Sequence, residues 1–235
     1  SGVGAISLGS IDNTASSTGM NLTSGTSITF NGDSKIIGLI AYATNGITVD
    51  ANLTIPSLGT ILDADNGGDG TGTFTLNAGK TLTIIGSESF ITAADLDIFG
   101  SINSTVQVTI ANTKNNVQLG AGTVVASDMN ISNAELAAIT ASTLKIKGVG
   151  NITIDGVAAA STTNLGNVYL LGTSVLTTGG ASTFKALQID AVQDINLDAN
   201  LAITTGDGLF YADTDFAGGG NVSIGAGKTL SYSGA

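Results

Sequence analysis

The 235-residue sequence contains no cysteine, histidine, tryptophan or arginine and only one proline, Pro56. Without cysteine, a secreted chain of this size has to be stabilised by a large repetitive core rather than by disulfide bonds. Enzymes that act on acidic polysaccharides use arginine, lysine or histidine to bind sugar carboxylates, and lysine is the only one of these residues present. We therefore expect no catalytic site.

Charged residues are also scarce, and most of them are acidic. The chain has seven lysines but 18 aspartates and glutamates, which gives a net charge of −11 and an isoelectric point near 4.1. Nucleic acids and anionic membrane surfaces both attract clustered basic residues, so neither is expected as a partner. No apolar run is long enough to span a bilayer, and membrane insertion is not expected either.

Glycine, serine, threonine, asparagine and small apolar residues make up most of the chain, and apolar and polar side chains alternate along it. Segments such as residues 27–30, 73–76 and 106–110 follow this period of two, which predicts half-buried β-strands. Turn signals rich in glycine and asparagine separate these segments. Residues 133–139 have a helix-like pattern, and we expect a single turn of helix or a distorted turn there.

One segment occurs twice in the sequence. Residues 47–82 align with residues 195–230 without a gap, and 15 of the 36 positions are identical. The sequence therefore predicts a first repeat unit at residues 1–147 and a partial second unit at residues 148–235, continuous with the first. Because the second unit is incomplete, we expect either that the sequence is an excerpt of a much longer chain or that its ends dock onto neighbours, and the first of these is favoured.

Two all-β folds fit strands that recur every six to ten residues, since this spacing leaves no room for helical crossovers. A parallel β-helix, or β-solenoid, would stack short strands in coils of about 20 residues. The alternative is an array of antiparallel β-sandwich modules, which normally have an aromatic anchor in each domain. Aromatic residues make up only 5% of the chain, which favours the β-helix.

Residues 61–74, followed by residues 78–82, resemble the repeats of filamentous-haemagglutinin-like exoproteins, the large bacterial adhesins of two-partner secretion. Residues 91–98 and residues 151–154 resemble the same repeats. The resemblance implies a right-handed parallel β-helix within a fibre that is exported from a bacterium and acts in adhesion and aggregation. It also implies an extracellular or cell-surface location.

An acidic, glycine-rich loop at residues 63–72 contains candidate ligands for a metal ion. The candidate ligands are Asp63, Asp65, Asn66 and Asp69. Ca²⁺ prefers such oxygen ligands, and glycine permits the tight turns of its binding loops. However, the loop lacks the closing glutamate of a complete calcium-binding series, and Tyr211 and Ala217 replace two of the aspartates in the second copy. Ca²⁺ binding and a plain acidic corner both remain open.

Two pairs of carboxylates occur at alternate positions, Asp95 with Asp97 and Asp63 with Asp65. On a strand their Cα atoms would lie about 6.5–7 Å apart on one face, which is loosely compatible with a two-carboxylate glycosidase. The residues between and beside them are apolar, so the core lies on the opposite face. We therefore predict that all four side chains point to water.

Two functions fit these observations. The first is a structural segment of a long secreted or cell-surface bacterial fibre or adhesin, a stiff β-helical filament shaft for adhesion or extracellular matrix. It has no catalysis, and its partners are neighbouring repeats or copies of itself. The alternative is a Ca²⁺-assisted adhesive repeat module that binds host or matrix glycans. Specific, saturable sugar binding would favour the alternative.

Overall fold

A computed structural model describes residues 4–122 and 128–233 of the chain. Short β-strands and turns alternate throughout these residues, and the predicted all-β class is confirmed. The chain divides into two compact units. The first contains Ser1–Thr113 and Ala138–Ser142, and the second contains Lys114–Ala137 and Thr143–Ala235.

The first unit contains strands β1 to β14, each two to six residues long. Their bounds are β1 (Ile6–Leu8), β2 (Met20–Ser24), β3 (Ile28–Phe30), β4 (Ser34–Lys35), β5 (Leu39–Ala43), β6 (Ile47–Val49), β7 (Leu53–Ile55), β8 (Thr60–Asp63), β9 (Thr73–Leu76), β10 (Thr81–Ile84), β11 (Ser89–Ala93), β12 (Asp95–Ile98), β13 (Ser101–Ser104) and β14 (Gln107–Asn112). Strands this short are stable only when several of them pair side by side, as they do here in hydrogen-bonded stacks.

The strands of the first unit form three hydrogen-bonded stacks, and the chain visits these stacks in turn. One stack contains β1, β3, β6, β9 and β12, a second contains β2, β5, β8, β11 and β14, and the third contains β4, β7, β10 and β13. From β2 to β11, each strand pairs with the strand three positions later. Ile28 thus lies beside Ile47, 19 positions later, and Ile47 lies beside Phe74, 27 positions later.

Every register that the structure describes between two strands is parallel. A β-helix requires this arrangement, because its strands return to the same face after each coil. Sandwich modules are built from antiparallel hairpins, and the described registers contain none of these. The observed pairing therefore favours the first of the two predicted folds.

Burial alternates along the strands, as the period of two predicts. In β5, buried and half-exposed residues alternate from Leu39 to Ala43. Parallel pairing then places buried residues of successive strands on one another, as where Leu53 lies beside Leu82 and Leu82 beside Ile102. The core is therefore a set of apolar rows that run from strand to strand. Burial of each side chain in these rows stabilises the fold by about 1.5–3 kcal/mol.

The second unit contains the remaining strands and the two short helices. Their bounds are β15 (Val117–Gly120), β16 (Met129–Ser132), α1 (Asn133–Ala137), β17 (Ile139–Lys147), β18 (Ile152–Asp155), a 3₁₀-helix (Ala159–Thr162), β19 (Leu165–Gly172), β20 (Val175–Thr177), β21 (Ser182–Phe184), β22 (Leu187–Ala191), β23 (Ile195–Leu197), β24 (Leu201–Ile203), β25 (Gly208–Tyr211), β26 (Val222–Ile224) and β27 (Leu230–Tyr232). The beginning of β17 belongs to the first unit.

The strands of the second unit also form parallel stacks, and the three-position rule applies to them from β19 onward. One stack has the order β16, β15, β18, β20, β23 and β26, a second contains β19, β22 and β25, and a third contains β21, β24 and β27. From β19 onward, each strand again pairs in parallel with the strand three positions later, apart from β25 to β27, which have no later strand among the described residues.

The predicted turn of helix is present as α1. Side-chain hydrogen bonds stabilise the helical turn at this point of the strand pattern. Ser132 and Glu135 form a capping box, in which the Ser132 N–H donates to Glu135 Oε2 at 2.8 Å and the Glu135 N–H donates to Ser132 Oγ at 3.2 Å. Asn133 Nδ2 donates to the Gly156 carbonyl at 2.9 Å, and the Ala158 N–H donates to Asn133 Oδ1 at 2.9 Å. The helix is therefore tied to the turn that follows β18.

The two sequence copies have corresponding strands. β3 to β10 in the first copy correspond in order to β20 to β27 in the second, and residues 47–82 lie in the first unit while residues 195–230 lie in the second. Turn geometry is repeated as well, because Gly79 and Gly227 have φ angles of 74° and 71°. Only glycine adopts this left-handed conformation without strain, which accounts for its presence at both positions.

Candidate functional site

The acidic loop at residues 63–72 joins β8 to β9, and Asp65 lies at its centre. The Asp65 side chain is only 2% exposed. Its Oδ2 accepts the Gly70 N–H at 3.0 Å and the Thr113 hydroxyl, and its Oδ1 accepts the Gly72 N–H at 3.4 Å. The carboxylate thus closes the loop on itself and fastens it to the residue that follows β14.

The prediction that Asp65 points to water is wrong. β8 stops at Asp63, so the alternation of the strand no longer applies two residues later. The chain turns at Ala64, and both Ala64 and Asp65 are buried. A buried carboxylate needs hydrogen-bond donors, and the glycine amides and the threonine hydroxyl provide them.

The other three predicted ligands lie around this centre in different environments. Asp63 is half-buried on the outer face of β8 and accepts the Asp65 N–H at 3.2 Å. Burial raises the pKa of Asp63, the hydrogen bond from Asp65 lowers it, and the Asp65 charge raises it further. Asn66 is exposed, and its N–H donates to the Ala43 carbonyl at 2.9 Å.

Asp69 is the fourth predicted ligand and forms a local turn with Thr71. The Thr71 hydroxyl donates to Asp69 Oδ1 at 2.6 Å, and the Thr71 N–H donates to the same atom at 3.1 Å. The hydroxyl is the main cause that lowers the pKa of Asp69, with a smaller contribution from Asp65. The carboxylate is thus held by its own loop.

The loop contains no evident metal centre. Across residues 4–122 and 128–233, no group of three or more histidine, cysteine, aspartate or glutamate side chains is arranged to hold a metal ion. Ca²⁺ takes six to eight oxygen ligands, and here the Asp65 oxygens accept hydrogen bonds from the protein itself. Ca²⁺ binding by this loop stays a prediction from the sequence.

Comparison with the second copy of the loop shows which residues close the loop in both copies. Asp213, the counterpart of Asp65, accepts the Gly218 N–H at 3.0 Å, just as Asp65 accepts the Gly70 N–H. Gly70 and Gly218 both have a positive φ, at 79° and 85°. The residues that close the loop are therefore identical in both copies.

The predicted ligands that do not close the loop differ between the copies. In the second copy Asp63 is replaced by Tyr211, Asn66 by Thr214 and Asp69 by Ala217. The closing residues are repeated and the other potential ligands are not. This pattern is expected of a loop whose acidic residues fix its conformation rather than bind a ligand.

Asp95 and Asp97 lie on β12 as predicted, with their side chains on the outer face. Leu96 and Ile98 are buried at 3% and 4% exposure, whereas Asp97 is exposed and Asp95 half-exposed. Although Asp97 is exposed, the neighbouring protein atoms partly desolvate its carboxylate and raise its pKa, and the charge of Asp95 raises this pKa further. The two carboxylates form a solvated acidic face of the sheet.

A cluster that sequence reasoning missed lies on the outer face of the second unit. The Tyr169 hydroxyl donates to Asp190 Oδ2 at 2.5 Å, and Gln188 Nε2 donates to Asp190 Oδ1 at 3.1 Å. Lys145 Nζ lies 4.6 Å from the centre of the Tyr169 ring, which is a cation–π contact. These residues come from β17, β19 and β22, so only the stacking of strands brings them together. Their outward positions in the period-two pattern were the available signal.

The Tyr169 hydroxyl in this cluster keeps its proton and donates it in a hydrogen bond. Burial is the largest cause that raises the pKa of Tyr169 to about 12, followed by the hydrogen bond to Asp190 and the charge of that carboxylate. Near neutral pH the phenol is therefore a hydrogen-bond donor and does not act as a base. The arrangement suits a polar ladder across three strands.

The first unit also has an apolar groove of about 430 Å³ at one side of the stack that contains β2, β5, β8 and β11. Met20, Ile61 and Phe90 contribute to its lining, and Glu88 is its one charged side chain. The groove is large enough for a small ligand. None of the site residues predicted from the sequence lines this groove.

Among the described residues, no helix has the length and apolar character needed to cross a membrane. The chain matches no protein-family model, no curated protein and no solved structure.

Proposed function

We propose that this chain is a structural segment of a long secreted or cell-surface bacterial fibre or adhesin. In this proposal its strands form a right-handed parallel β-helix that serves as a stiff filament shaft for adhesion or extracellular matrix. The chain belongs to the filamentous-haemagglutinin-like exoproteins that its sequence resembles. The role is mechanical and includes no catalytic step.

The observation that carries the proposal is the stacking rule. In each unit, strands three positions apart in the chain pair in parallel, and rows of apolar residues such as Ile28, Ile47, Phe74 and Leu96 continue through the stack. Such a structure grows by repeating one coil, so its length is set by the number of coils. This property suits a filament shaft.

The candidate site supports the same role. Asp65 and Asp213 use their carboxylates to close loops, and Asp95 and Asp97 lie on the outer face of β12. These are the uses expected of acidic residues in a structural protein. The glycan-binding alternative has no comparable support, since three of its four candidate Ca²⁺ ligands, Asp63, Asn66 and Asp69, are not repeated in the second copy.

Electron cryomicroscopy of the parent fibre tests the proposal. Stacked coils predict a repeat of about 4.8 Å along the fibre axis, and the map would also give the handedness. Antiparallel modules that repeat at several tens of ångströms would contradict it. A glycan array provides a second measurement, in which the shaft proposal expects no selective, saturable binding. Selective binding that is lost with a chelator would support the alternative.

A further inference from the structure

The apolar groove of the first unit runs across the strands, in the direction in which they stack. A column of glycines lines it, because Gly19, Gly38 and Gly59 directly precede β2, β5 and β8. These three strands are in register from their first residues, so the three glycines lie side by side. Directly before the next strand, β11, the same place is taken by Glu88. The column of glycines therefore ends at a carboxylate.

Apolar side chains form the walls of this groove. Ile40, Ile61 and Phe90 lie beside one another on the outer face of β5, β8 and β11, and Leu58 precedes the glycine column on the other side. Leu58 and Phe90 are 41% and 44% exposed. Successive strands lie about 4.8 Å apart, so the groove extends about 14 Å across the three intervals from β2 to β11. Its shape suits a linear apolar molecule.

The groove does not depend on an uncovered end of the stack. β5, β8 and β11, which contain its walls, each pair with a strand on both sides. The groove lies on the outer face of these strands. A further coil stacked against β2 would therefore leave this face open.

The second copy shows that the same stack forms without a column of glycines. The positions that correspond to the glycines contain side chains, namely Asn167, Ala186 and Asp207. Gly206 takes the place of Leu58. In the first copy, a Cβ atom on Gly38 would lie 2.5 Å from the Leu58 Cβ, so glycine at this position makes room for the apolar wall. The groove is therefore a feature of the first copy and is not required by the stacking.

We propose that this groove binds a linear apolar molecule with a cationic head group, such as an alkylammonium ion. The alkyl chain lies along the glycines between Leu58 and Ile61, and the head group lies beside Glu88 and Phe90. Among the described residues that line the groove, Glu88 is the one with a charge, so the groove is complementary to a cation. Glu88 and Phe90 occupy alternate positions, which places the carboxylate and the aromatic ring on the same face, and the ring adds a cation–π attraction.

The charge of the whole chain favours the same class of ligand. The net charge of −11 attracts cations and repels anions. This inference goes beyond the proposed shaft and does not rest on it, because it needs only the outer face of four neighbouring strands.

Isothermal titration calorimetry of the intact chain with octyltrimethylammonium, below the concentration at which this probe forms micelles, tests the site. The wild type is expected to bind it saturably at one site. Gly59→Leu is expected to weaken binding by about 10-fold or more, because a Cβ atom at Gly59 meets no other atom within 4 Å and the new side chain would fill the groove. Gly9→Leu is the matched control, since its Cβ atom is equally unobstructed but Gly9 lies outside the groove, and binding should be unchanged.

The head group is tested with Glu88→Gln and two further probes. This substitution is expected to weaken binding of octyltrimethylammonium by about fivefold and to leave binding of neutral octanol unchanged. Octyl sulfate, which is anionic, is expected to bind the wild type more weakly than either probe. Added salt should weaken binding of the cation and have little effect on octanol.

No saturable binding of octyltrimethylammonium to the wild type overturns the proposal. Wild-type affinity in Gly59→Leu, or a loss of affinity in Gly9→Leu, overturns it as well, since binding would then take place elsewhere. Equal affinities for the cationic and neutral probes overturn the cationic ligand class. Circular dichroism establishes that each variant is folded, and Ile61→Lys, which places a cation in the wall, replaces Gly59→Leu if that variant is not. All these outcomes leave the shaft proposal standing, because it depends on strand pairing alone.

Discussion

Leu82 and Leu230 are the same residue at the same position of the two copies, and their surroundings differ. Leu82 in β10 lies between β7 and β13 and is fully buried. Among the residues that the structure describes, Leu230 in β27 has only Leu201 of β24 as a strand neighbour, and it is 38% exposed. The local sequence therefore specifies the strand and its inward face, but the adjacent coil decides how much stabilisation the residue provides.

The largest expected difference between the copies follows from this pair of leucines. Leu82→Ala leaves a cavity between two coils and should cost about 3 kcal/mol of unfolding free energy, whereas Leu230→Ala should cost about 1 kcal/mol or less. Urea unfolding of both variants measures the difference, with hydrogen exchange to localise it. Equal costs would mean that the two copies are covered alike, and the comparison would fail.

The two loop aspartates give the next largest difference. Asp65 is buried and accepts three hydrogen bonds, whereas Asp213 is half-exposed and accepts one from Gly218. Asp65→Ala leaves buried donors without acceptors and should cost about 2 kcal/mol, while Asp213→Ala should cost under about 1 kcal/mol. Thermal melts of the two variants test the order, and a larger loss in Asp213→Ala would contradict it.

Most of the fold could be predicted from the sequence because it depends on local pattern. The period of two placed segments such as Ile28–Phe30 and Thr73–Leu76 in strands with the correct buried residues. The repeat predicted that strands would recur at matching places in both copies. Which strands pair depends on the number of residues in each coil, and loops such as residues 63–72 change that number from one coil to the next.

The candidate site was harder to predict, because its residues meet only through stacking. Asp65 and Thr113 are 48 positions apart, and Tyr169 and Asp190 are 21 apart. Alternation correctly placed Asp97 on an outer face, but it failed at Asp65 because the strand had already stopped. The alternating pattern predicts the face on which a side chain lies within a strand, but it does not predict side-chain orientation in the turn that follows.

A smaller difference concerns charge in the first loop, which has Asp63 where the second copy has Tyr211. Burial raises the pKa of Asp63, so its protonated form favours the folded state, and this stability is lost as pH rises through the folded-state pKa. Asp63→Asn should therefore raise Tm slightly at neutral pH, and the gain should vanish below the ordinary pKa of aspartate. Melting curves across this pH range measure it.

Asp69 provides the control for the charge experiment, since the Thr71 hydroxyl lowers its pKa. Its contribution has the opposite sign, because it is present above the ordinary pKa of aspartate and lost as pH falls through the lower, folded-state value. Asp69→Asn should thus lower Tm slightly at neutral pH. Shifts of the same sign in both variants would show that a general effect of net charge outweighs these local causes.

The smallest expected effect is that of a chelator, which tests whether the two loops differ in metal binding. A metal ion bound only to the folded state would raise Tm, and its removal would lower Tm. Asp65 and Asp213 already accept hydrogen bonds from the amides of their own loops, and the first copy has Asp63 and Asp69 in addition. We expect EDTA to leave Tm unchanged. If EDTA lowers Tm in the wild type but not in Asp69→Ala, the first loop binds a metal that the second, with Ala217 at this position, does not.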